Sequence, residues 1–167
     1  MKHGLAIGIL AAGLLSLAPA VHAQDCGTPG LRALRGTYAF TGAAWQDLSE
    51  INPSLPKNYA PVSLIGAFSI NGNGDVTGWA LVNAGGLQMT AGFVNSRFGA
   101  PSANCSVPIS LSMRIKESGE STAGPYSYVG VIERDGSALE IAFMMLGTGP
   151  GSHLELNHAK RISMRFN

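Results

Sequence analysis

Residues 105–116 read Cys-Ser-Val-Pro-Ile-Ser-Leu-Ser-Met-Arg-Ile-Lys, an order that a helix cannot use. Cys105, Val107, Ile109, Leu111, Met113 and Ile115 share one parity, and Ser106, Pro108, Ser110, Ser112, Arg114 and Lys116 share the other. A helix scatters such residues around its circumference. A strand, with its period of two, sorts them into an apolar face and a wet face. Pro108 has no N–H to donate to a ladder, which predicts a bulge or an unpaired position there.

The same pattern recurs along the chain. Runs at 36–44, 61–70, 76–82, 87–95, 126–133, 139–146 and 154–166 also read as half-buried strands. Turn segments at 71–75, 83–86, 134–137 and 147–152 separate several of them. Beyond the N-terminal segment no run of ten or more residues carries a helical period. Asn71-Gly72-Asn73-Gly74-Asp75 supplies the positive φ angles of a tight hairpin. Asn and Asp oxygens also suit a calcium loop, but this one has a single carboxylate and lacks a full ligand pattern. About eight successive antiparallel strands predict an all-β fold, an up-and-down barrel, with a sandwich as the alternative. Closure removes exposed edges and leaves a lumen for side chains or one small ligand. Residues 45–60 form the one long irregular segment, with a helical turn expected near 46–50. Its Trp45 and Tyr59 either line an entrance or pack on each other at the surface.

The N-terminus reads as an export signal. Lys2 and His3 precede an apolar run from Leu5 to Leu17, Pro19 breaks it, and Val21-His22-Ala23 forms a small-x-small cleavage pattern. Residues 1–23 are therefore expected to be removed, leaving 24–167 as one domain in the periplasm or outside the cell. The apolar run is too short for a stable membrane span. Losing Lys2 leaves the rest formally neutral, with no basic stripe to suggest nucleic-acid binding. Cys26 and Cys105 are expected to pair in an oxidising compartment, pinning the N-terminus to the body, with two buried free thiols as the alternative. Loop closure on that scale contributes at most about 4–5 kcal/mol.

The segments "CGTPGLRALRGTYAFTG", "GAFSINGNGDVTG", "NCSVPISLSMRI" and "GTGPGSHLELNHAKRI" resemble, in order, small exported bacterial proteins with a calycin-like (lipocalin-like) barrel, a group sometimes compared with allene oxide cyclase. Cys26, Leu34 to Phe40, Phe68 to Gly78, Cys105 and Arg161 carry the match. Asn71 stands where that group usually has Asp. Tyr38 stands where lipocalins proper carry Trp. The resemblance implies fold and export and brings no agreed activity.

Chemical signals are sparse. No cofactor or metal site is implied, and no catalytic residue is assigned. His153 and His158 differ by five positions and would face opposite sides of a strand. No Ser occupies a Gly-x-Ser-x-Gly elbow. Glu133 and Glu140 read as wet-face residues. In the last run Leu154, Leu156, Ile162, Met164 and Phe166 share a parity that is expected to face inward. His158 and Lys160 have the same parity, which would place His158 at the lumen as a ligand or acid/base group, or as a hydrogen-bonded core residue. Candidate lumen residues are Tyr38, Phe40, Phe68 and Phe93, with Leu111, Met113, Phe143 and His158. The expected function is a non-enzymatic barrel that binds a small lipophilic molecule or serves a structural role. Alternatives are a cyclase or isomerase and a surface module that binds a protein.

Overall fold

The computed structural model describes residues 30–51, 54–117, 121–135, 138–146 and 154–163. The expected leader, Cys26, the 147–152 turn, His153, Met164 and Phe166 lie outside them. The elements run β1 (Gly36–Asp47), α1 (Leu48–Ile51), β2 (Tyr59–Ile70), β3 (Asp75–Ala84), β4 (Leu87–Phe98), β5 (Ser106–Ile115), β6 (Ser121–Asp135), β7 (Ala138–Met145) and β8 (Leu154–Ser163), after a 3-10 turn at Leu31–Leu34. Each strand pairs antiparallel with the next, and β8 returns to β1. The fold is thus a closed, calycin-like antiparallel β-barrel of eight strands, not a sandwich. Among the described residues no helix is long and apolar enough to cross a membrane.

The local chemistry explains each departure from simple alternation. In the 71–75 connector, Asn71 Oδ1 accepts from the amides of Asn73 at 2.8 Å and Asp75 at 2.9 Å. Gly74 takes φ 87°, and a Cβ there would meet the Phe98 carbonyl at 2.2 Å, so this position requires glycine. Pro108 sits beyond the end of β4, where its carbonyl accepts from Gly99 N–H at 2.7 Å. Its missing donor therefore breaks no rung. Ser112 is buried where the facing strand β4 shifts register between Val94 and Arg97. There the Ser112 N–H donates to Ser96 Oγ at 2.9 Å, which satisfies a polar group that burial would otherwise strand.

Two expectations are corrected here. The irregular segment is shorter than 45–60, because β1 continues to Asp47 and Trp45 pairs with Pro61 and Leu154. Trp45 and Tyr59 are exposed on the outer wall and line no entrance. Asp47 turns the chain instead, its Oδ1 accepting from the amides of Ser49 and Asn58.

The second correction concerns β8. Leu156 and Ile162 are exposed, while Glu155, Asn157 and Ala159 are buried. Register decides this. His158 lies opposite Thr41 on β1 and Ala142 on β7, both outward. Ala159 lies opposite Phe40 and Ile141, both buried. Cross-strand partners share a face, so closing the ring overrides the apolar count of the strand. The β7–β8 ladder runs from Glu140 to Met144 against Leu156 to Lys160. The β1–β2 ladder spans all of Gly36–Asp47 against Tyr59–Ile70.

The barrel is closed differently at its two ends. At one, the 3-10 turn inserts the fully buried Leu34. Tyr38 Oη donates to the Leu34 carbonyl at 2.7 Å, and Arg161 Nη1 donates to the Ala33 carbonyl at 3.2 Å. At the other, α1 buries Leu48, whose N–H donates to the Asn58 carbonyl at 2.9 Å.

Candidate functional site

Seven of the eight expected lumen residues do face inward. Tyr38, Phe40, Phe68, Leu111 and Phe143 are buried, and Phe93 and Met113 are half-buried against the same core. They do not form one open pocket. Tyr38 stacks on Phe68 with ring centroids 5.3 Å apart, and Phe68 stacks on Phe98 at 5.7 Å. This half of the lumen, on the 3-10 side, is filled by its own rings.

His158 is the exception. Its side chain is 52% exposed on the outer wall and bonds Glu140 at 3.0 Å, while Lys160 reaches the same carboxylate at 2.9 Å. The Lys160 hydrogen bond comes first among the influences that hold Glu140 below the usual carboxylate range. Glu133 lies beside Glu140 in register, and both stand on the outside as wet-face residues. His158 therefore has no role in the lumen.

Reversing β8 puts a different set of side chains inside. Ala44, Gly42 and Phe40 on β1 lie opposite Glu155, Asn157 and Ala159, so the inner wall near α1 is polar. Both carboxyl oxygens of Glu155 accept hydrogen bonds, from Tyr128 Oη at 2.9 Å and from Asn157 Nδ2 at 2.7 Å. Nearby, Gln46 Nε2 donates to Tyr126 Oη at 3.3 Å. Glu155 is 5% exposed and Asn157 2%. Asn157 Oδ1 has no hydrogen-bond partner among the described residues. That oxygen lies over Gly42, where a Cβ would stand 1.9 Å from it, so only the bare Cα leaves room for the amide. Burial, then the charge of Glu155 and the bond to it, push the Tyr128 phenol well above its ordinary value, so Tyr128 remains a proton donor.

Two cavities flank this cluster. One, of about 10 Å³, is lined by Phe40, Phe93, Phe143, Tyr128, Glu155 and Asn157, among others. The second, also about 10 Å³, is lined by Gln46, Val82, Ile115 and Tyr126. Each has room for about one water molecule. Leu64, Met113 and Glu155 border both. Met113 is the movable part of that boundary, because its unbranched side chain repacks readily. The larger concavity, about 520 Å³, lies on the outer wall over β2–β4, beside the half-exposed Ile65 and Leu81.

Sequence reasoning missed Glu155, Asn157, Tyr128 and Gln46. The signal was available in β8 as an alternating Glu-x-Asn-x-Ala-x-Arg set, but only a pairing partner could tell which parity faces inward. Cys105 is buried, and no free cysteine occurs among the described residues.

This arrangement defines a class: a closed β-barrel with an acidic, amide-bearing wall in an otherwise apolar interior. Compared with known proteins, the chain matches no family model, no curated protein and no solved structure.

Proposed function

We propose that this is an exported, non-enzymatic member of the calycin-like barrels, and that it binds a small amphiphilic molecule in the α1 half of its lumen. The observation that carries the reading is Asn157, which lines a cavity and whose buried Oδ1 has no partner among the described residues. Buried polar atoms are almost always satisfied, so an acceptor that the protein leaves without a partner marks a place for a bound donor. Apolar walls with a few convergent polar groups are the usual make-up of a ligand site. The cavities lie below ligand size, so occupancy beyond a few atoms needs Met113 to swing aside and join them. A cyclase or isomerase would need a deep pocket around a reactive substrate, so binding is favoured over catalysis.

Export of the full chain in a bacterial host tests the whole proposal. Cleavage after Ala23 and the mass deficit of one disulfide, Cys26 to Cys105, are the expected intact-mass results. Denaturing the exported protein and extracting it for mass spectrometry should release a discrete small molecule. Met113→Ala should retain more of it. An empty extract, with no stabilisation by a panel of lipophiles in either form, overturns lumen binding. It would favour a second reading, a surface module that uses the outer concavity, where Ile65 and Leu81 are cross-strand neighbours.

A further inference from the structure

The geometry points to a protonated primary amine as the head group this lumen takes, held between Asn157 Oδ1, Glu155 and a box of aromatic rings. This inference rests on the lumen-binding reading above and specifies its ligand.

The first argument is an inventory of donors and acceptors. The single phenolic proton of Tyr128 goes to Glu155 Oε2, an amide proton of Asn157 goes to Glu155 Oε1, and Gln46 Nε2 gives to Tyr126. One proton of each of these three groups is thus given to a protein acceptor. The buried atom without a partner among the described residues, Asn157 Oδ1, is an acceptor. A carboxylate or ketone head would bring a further acceptor to an acceptor and a negative charge to a carboxylate. A hydroxyl supplies one donor and no charge. An ammonium group supplies three donors and a positive charge, and its bonds to a carboxylate are of the stronger, charge-assisted kind.

The cavity that Asn157 and Glu155 border is also walled by Phe40, Phe93, Phe143 and Tyr128. Phe40 and Phe93 lie 5.8 Å apart, and Tyr128 and Phe143 lie 5.6 Å apart, both pairs inclined. Ring faces attract cations and gain most where water is excluded. Aromatic rings beside a carboxyl and an amide therefore favour a cation that carries N–H groups. The size agrees: an ammonium head occupies about the space of one water, which is what the cavity holds. A short alkyl stem would run past Met113 into the second cavity.

The test uses propylammonium, propanol and propionate at equal ionic strength near neutral pH, with thermal unfolding and calorimetry on the exported protein. The expected result is a saturable rise of about 2–4 °C with propylammonium. Propanol should bind at least about tenfold more weakly, and propionate should give no shift. Glu155→Gln and Asn157→Leu should each weaken propylammonium by at least about tenfold. Phe93→Leu provides the same comparison at a half-buried site if the Glu155 variant does not fold. Propanol or propionate binding as well as the amine would overturn the head-group inference and leave lumen binding standing. So would amine binding that is indifferent to Glu155→Gln and Phe93→Leu. No binding by any of the three, in wild type or in Met113→Ala, would end both.

Discussion

The two halves of the lumen are built from the same strands yet solve opposite problems. Around Tyr38, Phe68 and Phe98 the space is filled by stacked rings under the Leu34 plug, and the buried Tyr38 hydroxyl has its acceptor 2.7 Å away. Around Glu155 the wall is polar, the packing leaves small gaps, and one buried oxygen has no partner among the described residues. Dense, satisfied packing is what stability requires. Loose, half-satisfied packing lowers stability and is retained where something else is accommodated. The comparison teaches that this barrel is packed densely at the 3-10 end and keeps its buried polar groups at the α1 end.

The largest effect is expected from Phe68→Ala. Removing the ring at the centre of the stack should lower unfolding free energy by about 3–5 kcal/mol in denaturant titration, whereas an equal loss on truncating Met113 would erase the distinction between the halves. Tyr128→Phe comes next. It removes a donor from Glu155 and should cost about 1.5–3 kcal/mol. Tyr38→Phe removes a neutral bond and should cost about 0.5–1.5 kcal/mol. Burial, opposed by Arg161, pushes the Tyr38 phenol up to about 12. Its contribution is therefore complete below pH 10 and is lost as pH rises through about 12. Stability measured across that window should fall more steeply in wild type than in Tyr38→Phe. The smallest effect belongs to Asp47. Burial alone would raise its pKa, but hydrogen bonds from Ser49 and Asn58 hold the carboxyl below its ordinary value of 3.8. Its contribution is present above that value and lost as pH falls through the lowered one. Thermal unfolding of Asp47→Asn should be less sensitive to acid than that of wild type.

Most of the barrel could be read from alternation. The parity of β5 placed Val107, Ile109, Leu111 and Ile115 inside, where they are. The aromatic positions on β1, β2, β4 and β7 were legible for the same reason. The candidate site was not. In β8 the apolar parity, with Leu156 and Ile162, faces out, and the polar parity faces in. Hydrophobic count ranks the two faces of an isolated strand, whereas in a closed ring the facing is fixed by neighbours on both sides. His158 was misplaced by the same inversion. β4 shows the other limit, since its register shifts between Val94 and Arg97 and the buried parity passes from Met89 and Ala91 to Ser96 and Phe98, which leaves no mark in composition.

The ladders of this ring are unequal, and that has a kinetic consequence. Among the described residues β7 and β8 share a shorter ladder than β1 and β2 do. Closed rings open where a seam is weakest, and local opening is read by exchange of amide hydrogens with solvent. Amides on β7 and β8 should exchange before those on β1 and β2. Because Glu155 and Asn157 belong to β8, the seam expected to breathe first borders the strand that carries the polar wall.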